Sequence, residues 1–280
     1  MKKAINLTLQ VIILTVSLYG QMTELEWQEG PLFCNLGNNI AKVEIDEYYL
    51  FLDGRNTRDF MMNIGNPTSG MELGTILPGY EGADSWFIVF EYEDIGYVSD
   101  IDKNNIDANA ILKSVKEGTE IGNKRRIENG FSPLYVKGWY NKPYYDDKTN
   151  NLTWAILAES DGTPIVNHNI RFLGRGGVMS VSLVTDPKAL DNAIGETEPI
   201  LETFTYKQGK RYFEFIDGDK VAGYGLTALI AGGAGAAAAK LGLFAKLWKI
   251  ILKLWFLVVA VIIAVFNSIK NFFSKIIKGE

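Results

Sequence analysis

The chain has one histidine, His168, and one cysteine, Cys34, and this scarcity limits the chemistry that it can perform. A structural zinc site takes about four nitrogen or sulfur ligands, and a serine-type triad needs a histidine beside an activated nucleophile. No nucleophile-elbow motif accompanies His168. We therefore predict no metal site, no cofactor and no catalytic residue. We expect His168 to be structural, on an apolar sheet face, and Cys34 to be a buried thiol.

Acidic side chains are the next candidates, because paired carboxylates can act as general acid and base or as calcium ligands. Three groups are close in sequence, namely Asp146-Asp147, Glu91/Glu93/Asp94 and Asp100/Asp102. Asp is favoured in turns for its hydrogen bonds to nearby backbone N–H groups. The segment 146–151 also lacks the alternating ligands and following Glu of a calcium loop. We interpret all three groups as turn residues or parts of a solvated face.

Two tight turns predict which side chains share a sheet face. If Asp161-Gly162 and Arg175-Gly176 are two-residue hairpin turns, Arg171 faces Ser180 and Trp154 faces Asn169. Side chains alternate between the two faces of a strand, so a slip of one residue would invert the assignment. The polar face is predicted to carry Trp154, Asn167, Asn169, Arg171, Ser180 and Ser182. The apolar face is predicted to carry Ala155, Leu157, Val166, His168, Ile170, Phe172, Val181 and Leu183.

The polar face is the candidate binding site. An aromatic ring beside an arginine and amides could bind a sugar or a carboxylate by stacking and forked hydrogen bonds. Arg175 joins the candidate set, because the glycine-rich turn 174–177 could hold an anion through its backbone N–H groups. The alternative, which the sequence favours, is that a helix covers this face and that Arg171 is paired with a buried Glu or Asp.

Short strands and a few helices must position these residues. Hydrophobic alternation predicts a strand at 41–45, continued at 48–52, and a dense apolar strand at 86–92. An antiparallel meander follows at 134–184, and 206–217 is predicted as a strand.

Three helices are predicted from cap and stop residues: one capped by Thr57 and ending at Ile64, one capped by Asp107 and breaking before Lys124, and one from Pro187 to Phe204. Helices separated in sequence from an antiparallel meander predict an α+β fold with the helices packed on the sheet.

Charge is distributed in three blocks. Residues 1–20 carry only Lys2 and Lys3, and residues 21–220 carry 19 basic and 32 acidic residues, a net charge of −13. Residues 221–280 carry seven Lys and one Glu, a net charge of +6. The acidic middle argues against nucleic-acid binding, which needs clustered Lys and Arg. We predict that residues 21–220 form an extracytoplasmic α+β domain.

Residues 1–20 are predicted to be a signal peptide. Two lysines precede the uncharged residues 4–18, a segment shorter than the ~20 residues of a membrane span. Gly20 offers a small residue for cleavage. An uncleaved anchor helix is the alternative, because Leu18 fits poorly two places before the cleavage position.

Residues 221–239 have no charge and are predicted to be a transmembrane helix. Small residues recur every fourth position, which is typical of closely packed membrane helices. We predict helix packing through Ala228, Gly232, Gly235 and Ala236, in a homo-oligomer or with another envelope protein. A flexible Gly/Ala hinge is the alternative.

Residues 240–253 are predicted to be a basic amphipathic segment, and 254–280 a second apolar segment with a lysine-rich tail. The positive-inside rule places the lysines of 240–253 in the cytoplasm, and hence the main domain on the periplasmic side of an inner membrane. The second apolar segment either spans the membrane or stays in its inner leaflet, and we favour two spans.

Seven separated motifs resemble a bacterial family of uncharacterised, membrane-anchored proteins, defined only as a domain of unknown function. The motifs are Gly65-Asn66-Pro67, Phe90-Glu91-Tyr92 with residues 95–98, Gly138-Trp139, 152–155, 171–181, 222–226 and 228–233. The resemblance runs from about Trp27 to Lys249. It implies an exported domain with a C-terminal membrane anchor and no assigned activity, and it supplies no catalytic residues.

The leading hypothesis is a binding or scaffold module of the bacterial envelope rather than an enzyme. The alternative is an envelope-acting hydrolase that uses carboxylates near Arg171. That alternative predicts a solvent-open cleft and a carboxylate with a raised pKa. A third hypothesis is membrane perturbation by residues 241–255.

Overall fold

The computed structural model describes residues 25–231. Three predicted segments lie outside this range: the signal peptide at 1–20, the basic amphipathic segment at 240–253 and the second apolar segment at 254–280. Gly232, Gly235 and Ala236 also lie outside it, so their helix packing stays a prediction.

Two antiparallel sheets form the centre of the described domain. The larger has eight strands in the order β1-β4-β5-β6-β10-β9-β8-β7, and the smaller has three in the order β11-β3-β2. The strands are β1 (Gln28–Glu29), β2 (Leu32–Leu36), β3 (Ala41–Ile45), β4 (Tyr49–Asp53), β5 (Glu72–Pro78), β6 (Trp86–Glu93), β7 (Tyr135–Asp146), β8 (Asn151–Ser160), β9 (Thr163–Leu173), β10 (Val178–Thr185) and β11 (Thr205–Tyr206). The helices with both ends described are α1 (Gly54–Asn63), α2 (Ala108–Glu128) and α3 (Leu190–Glu202). The predicted α+β class, with an antiparallel meander and packed helices, is confirmed.

The predicted register of the meander is confirmed at both turns. Arg171 pairs with Ser180, and Trp154 pairs with Asn169. Asp161 and Gly162 both have positive φ, as a two-residue hairpin turn requires. The apolar face assigned from this register lies in the main core, where it packs against the smaller sheet and α3.

Helix boundaries differ from the expectations in two places. Thr57 lies inside α1, and the cap is Asp53, whose carboxylate accepts a hydrogen bond from the Asn56 N–H at 2.9 Å. Asp107 caps α2 as predicted, but this helix continues past Lys124 to Glu128. Its glycines do not break it, because its apolar side packs on the sheet and outweighs their weak helix propensity.

The predicted strand at 206–217 is wrong beyond its first residue. After β11 the chain turns at Gly209, whose φ is +81°, and a short 3-10 turn follows at Tyr212–Glu214. A single β-bridge between Gly174 and Arg211 and ring stacking hold this segment, since the rings of Tyr97 and Tyr212 lie 4.6 Å apart.

The buried hydroxyl of Tyr206 connects the smaller sheet to the larger one. It accepts a hydrogen bond from the Met179 N–H at 2.8 Å and donates one to the Phe172 carbonyl at 2.8 Å. These two residues face each other in the β9–β10 hairpin. A Cβ on Gly174 would lie 2.9 Å from the Tyr206 ring, so glycine is needed there for the close approach.

The start of the predicted transmembrane segment is part of the domain. Val221 forms a β-bridge with Tyr97, and the helix begins only at Leu226 rather than at Val221. The Asp102 carboxylate accepts hydrogen bonds from the Leu226 N–H at 3.2 Å and the Thr227 N–H at 3.4 Å, and so caps this helix. Asp102 is therefore a turn residue, as expected, and it also caps a helix.

The first turns of this helix are also packed on the domain. Leu226, Leu229 and Ile230 are buried in a core cluster with α2. Within residues 25–231, no helix is both long enough and apolar enough to cross a bilayer.

Tyr206→Phe should lower the free energy of unfolding by about 1–3 kcal/mol, because it removes the partner of a buried N–H and a buried carbonyl. Urea denaturation of the full chain measures this. Tyr135→Phe is the matched control: Tyr135 is 54% exposed, so its change should stay within about 0.5 kcal/mol. Equal effects of the two substitutions would contradict the bridging role of Tyr206.

Candidate functional site

The polar face predicted from the sequence exists, and its centre is a stacked pair. The guanidinium carbon of Arg171 lies 4.8 Å from the centre of the Trp154 ring. Beside this pair, Ser182 Oγ donates a hydrogen bond to Asn169 Oδ1 at 3.1 Å. The Asn169 amide in turn donates to the Asn167 carbonyl at 2.9 Å. The face is thus ordered by its own hydrogen bonds.

Three carboxylates from β5 and β6 complete this face. Glu91 pairs with Glu72 on one side and with Ser180 on the other. Ser69 bridges two of the acids: its N–H donates to Glu72 Oε1 at 2.5 Å, and its hydroxyl donates to Glu91 Oε1. Ser180 Oγ donates to Glu93 Oε1 at 3.3 Å.

Glu72 and Glu91 are not on a solvated face. Glu72 is only 4% exposed. Desolvation raises the pKa of Glu91, and the nearby charge of Glu72 raises it further. Glu91 and Glu93 lie in the central strand β6 and are half-buried, so they are neither turn residues nor fully solvated, contrary to the expectation. No sequence pattern pointed to Glu72, since its pairing with Glu91 is a long-range contact.

Four buried polar atoms on this face have no hydrogen-bond partner within the described chain. They are Glu72 Oε2, Thr75 Oγ1, Trp154 Nε1 and Arg171 Nε. Burial also lowers the pKa of Arg171, while the carboxylates of Glu93 and Glu91 oppose that shift. The unpartnered atoms are thus two N–H donors, one hydroxyl and one carboxylate oxygen.

Helices cover this face. Ile111 and Val115 of α2 pack in one cluster with Trp154 and with Leu226. At the far end of α2, Arg126 donates hydrogen bonds to the Gly65 carbonyl and to Asn66 Oδ1, both at 3.3 Å, and so ties α2 to the turn after α1. The covering helix that the sequence favoured is therefore present beside Trp154. The predicted pairing of Arg171 with a Glu or Asp is not seen among the described residues, where the Arg171 guanidinium donates a hydrogen bond to the Ile170 carbonyl at 3.4 Å.

Arg175 does not belong to this group. Its guanidinium forms a two-pronged ion pair with Asp219, with distances of 2.7 and 2.9 Å. Its backbone N–H donates to the Lys210 carbonyl at 2.9 Å. Arg175 thus fixes the segment 210–219 to the β9–β10 turn, and its guanidinium is already paired.

The opposite face carries a cleft of about 710 Å³ between α3 and the strands β8 and β9, here called the α3 cleft. Its floor includes Thr153, His168 and Ile170, and α3 contributes Ile194 and Leu201. Ligand sites in proteins are typically mostly apolar pockets of about 300–1,000 Å³. The α3 cleft fits this description better than the covered polar face does.

Two residues that line the α3 cleft each have a buried polar atom without a partner in the described chain, namely His168 Nδ1 and Asn151 Oδ1. The sequence placed His168 on this apolar face correctly but assigned it no binding role. Asn151 was missed, although the same register arithmetic pairs it with Phe172 and places it on the face of His168. The cleft itself depends on the distance between α3 and the sheet, and no local sequence pattern predicts that distance.

Cys34 is buried as predicted, with 1% exposure. Burial raises the pKa of its thiol to about 12, so the reactive thiolate is disfavoured. Asp146 has the turn role expected of it, since its carboxylate accepts hydrogen bonds from the Lys148 N–H and the Thr149 hydroxyl, both at 2.9 Å.

A family model described as "Protein of unknown function (DUF2167)" matches residues 28–263. This match confirms the resemblance to a domain of unknown function. No curated protein matches the chain. A solved structure, "Solution Structure of Cyanobacterial PsbP (CyanoP) from Synechocystis sp. PCC 6803", is similar at 9% identity and a TM-score of 0.36, covering 68% of this chain and 96% of that one. A similarity at that level carries no argument about function.

His168 should titrate below its ordinary pKa of 6.5, because desolvation in the α3 cleft lowers its pKa. A lowered pKa means that the folded state favours the neutral ring. The contribution of His168 to the free energy of unfolding is therefore fully present above pH 6.5. It is lost as the pH falls through the lowered pKa that His168 has in the folded chain.

Since the chain has one histidine, the ring resonances in an NMR titration report this group alone. The midpoint should lie below 6.5 in the folded chain and near about 6.5 in urea. A folded midpoint at or above the unfolded one would contradict the burial of this ring.

Proposed function

The chain belongs to the family described as a protein of unknown function, DUF2167, and we propose that it is a membrane-tethered binding module whose ligand site is the α3 cleft. We further propose that the domain lies outside the cytoplasm, in a bacterial envelope.

The α3 cleft is the observation that carries the binding role. It has the volume of a small-molecule site, and its lining combines apolar side chains such as Ile170, Ile194 and Leu201 with polar ones such as Thr153 and Thr197. Burial of a ligand's apolar surface against these side chains would supply the free energy of binding.

Residues 221–231 are packed on the domain, where Asp102 and the bridge from Val221 to Tyr97 hold them. They are therefore not available to span a bilayer, and the proposed membrane contact lies in the sequence beyond residue 231. The lysines of 240–253 fit the proposed orientation, because positive residues near a membrane segment favour the cytoplasmic side.

One observation favours the hydrolase alternative, namely the raised pKa of Glu91 near Arg171. A hydrolase would also need a substrate to reach these groups, and α2 together with Leu226 covers Trp154 beside Arg171. Binding in the α3 cleft needs no such opening. We therefore place binding before hydrolysis.

The tether predicts a pattern of protease accessibility. In intact cells stripped of any outer membrane, added protease should cleave the full chain within residues 25–220 and spare residues 240–253. Disruption of the membrane should expose both regions. A domain that resists protease until the membrane is broken would contradict the proposed orientation, without bearing on the cleft.

Occupancy of the α3 cleft is tested by native mass spectrometry of the full chain isolated from bacterial membranes. We expect a fraction of the protein to carry a small molecule. Ile194→Trp places a larger ring in the cleft under α3 and should lower that fraction. Ile121→Trp is the matched control, because Ile121 lies on α2, is 49% exposed and does not line the cleft, and it should keep the mass. A bound mass that both variants retain would refute the α3 cleft as its site.

A further inference from the structure

Four large apolar side chains are exposed near the place where the described chain ends. Ile101 is 87% exposed, Phe213 78%, Ile216 58% and Val221 55%. We call this group the apolar end patch. Single exposed apolar residues are common on protein surfaces, but a connected group of them is typical of a surface that contacts a membrane or another protein.

The ring of Tyr97 joins two of the segments that carry the apolar end patch. It stacks on Tyr212 at 4.6 Å and on Phe215 at 4.1 Å. These contacts place the loop that leads to Ile101 against the 3-10 turn that carries Phe213. The loop and the turn therefore form one surface.

Backbone hydrogen bonds add the other two members to this surface. Val221 forms a β-bridge with Tyr97, whose N–H donates to the Lys220 carbonyl at 2.8 Å. The Ile216 N–H donates to Asp219 Oδ2 at 2.9 Å, two residues before Val221. All four exposed side chains thus belong to connected segments around Tyr97.

This surface lies at one end of the large sheet. The Gly96 N–H donates to the Gly176 carbonyl in the β9–β10 turn at 3.0 Å, and Lys103 forms an ion pair with Asp147 in the β7–β8 hairpin. The opposite end of the sheet carries the β8–β9 turn at Asp161. Since β8 has ten residues, the two ends are about 30 Å apart.

The chain leaves the described domain close to the patch. The helix that begins at Leu226 is capped by Asp102, the neighbour of Ile101. The last described residue, Ala231, lies five residues further along this helix, or about 8 Å. Membrane contact by the sequence beyond residue 231 would hold the patch near lipid, and the present inference rests on that proposed tether.

The length of the uncharged sequence that follows limits this distance. Residues 232–239 separate Ala231 from Lys240, the first lysine of the basic segment. Eight residues span at most about 28 Å when fully extended. The patch therefore stays within reach of a bilayer that binds the lysines of 240–253.

Charges around the patch favour insertion into lipid over electrostatic attraction. Residues 210–221 carry three basic and three acidic side chains, and residues 97–103 carry one basic and two acidic ones. A surface without excess positive charge is not attracted to anionic headgroups over a distance. Burial of the apolar side chains must therefore supply the affinity.

A second copy of the chain fits the patch less well than a bilayer does. Four side chains of this size offer on the order of 500 Å² of surface, whereas a stable protein interface buries about 800 Å² on each partner. A bilayer needs no such minimum area, because the tether already keeps the domain beside it.

We infer that the apolar end patch inserts into the interfacial region of the lipid bilayer to which the chain is tethered. The large sheet then stands with its β7–β8 and β9–β10 hairpins towards the lipid and its β8–β9 turn away from it. This contact orients the domain, which a tether alone would leave free to rotate.

Spin labels on the full chain in phosphatidylcholine nanodiscs test this orientation. Ile101→Cys and Ile216→Cys are labelled one at a time, and the native Cys34 is too buried to react. Ile127→Cys is the matched control, because Ile127 is 61% exposed and lies at the far end of α2. There the adjacent Arg126 bonds to the Ser132 carbonyl, and Ser132 bonds to Asp161 at the opposite end of the sheet.

Collision rates with oxygen and with a water-soluble nickel chelate give the result, since oxygen concentrates in lipid. We expect the ratio of oxygen to nickel collisions to be severalfold higher at positions 101 and 216 than at 127. High salt should leave this ratio unchanged, because the contact is apolar. Ile101→Asp in the chain labelled at 216 should lower the ratio towards that of the control, and Ile127→Asp should not.

Ratios at 101 and 216 equal to that at 127 would overturn the docking. Protection from both reagents would also overturn it, because protein would then cover the patch. Spin–spin broadening that disappears on dilution with unlabelled chain would identify that cover as a second copy. A ratio that falls at high salt would refute apolar insertion.

Incorporation into the nanodisc separates this inference from the proposed tether. A chain that is incorporated but whose labels all behave like the control has the tether and lacks the docking. A chain that is not incorporated refutes both. Neither result bears on ligand binding in the α3 cleft, which native mass spectrometry decides.

Discussion

The hydroxyl of Tyr206 is the contact on which the rest of the architecture depends. It bonds to backbone groups of two adjacent strands, and so fixes β11 and the smaller sheet over the β9–β10 hairpin. The chain on either side of Tyr206 closes one end of the α3 cleft, because Phe204 and Tyr212 both line it. A side chain at Gly174 would displace the ring. Gly174 in the glycine-rich turn thus allows the close approach of Tyr206, and Arg175 in the same turn forms an ion pair with Asp219.

The central strands of the large sheet are packed on both faces, and the two faces differ in what they bury. One face buries carboxylates, amides and Arg171 under α2, where hydrogen bonds such as those of Ser69 satisfy part of the group. The other buries an apolar surface under the smaller sheet and α3, except where α3 leaves the cleft. A buried polar cluster favours a single arrangement of strands, because a slipped register would leave more charges without partners. The α3 cleft, which we propose as the ligand site, lies on the other face, where the packing is mainly apolar and less specific.

The parts of the fold that depend on neighbouring residues could be predicted from the sequence. Two turns, at Asp161-Gly162 and Arg175-Gly176, were enough to assign the register and both faces of three strands, because the period of a strand is two residues. Glu72 was missed, because its neighbours on the face come from β6, which follows in sequence, and from β10, about a hundred residues away. Thr57 was mistaken for a cap, because the true cap, Asp53, is the last residue of a strand. The α3 cleft depends on how far a helix stands from a sheet, which is a tertiary property.

The loop that caps the helix at Leu226 has a mechanical consequence. Asp102 holds the first turn of that helix, and its neighbour Lys103 forms an ion pair with Asp147 in the β7–β8 hairpin. Residues of the same hairpin, among them Asp146 and Lys148, form the rim of the α3 cleft. A pull on the chain beyond residue 231 is therefore borne first by the loop that also anchors the cleft rim. In the proposed tethered module, tension on the chain at residue 231 would reach the rim of the α3 cleft through Asp102 and Lys103.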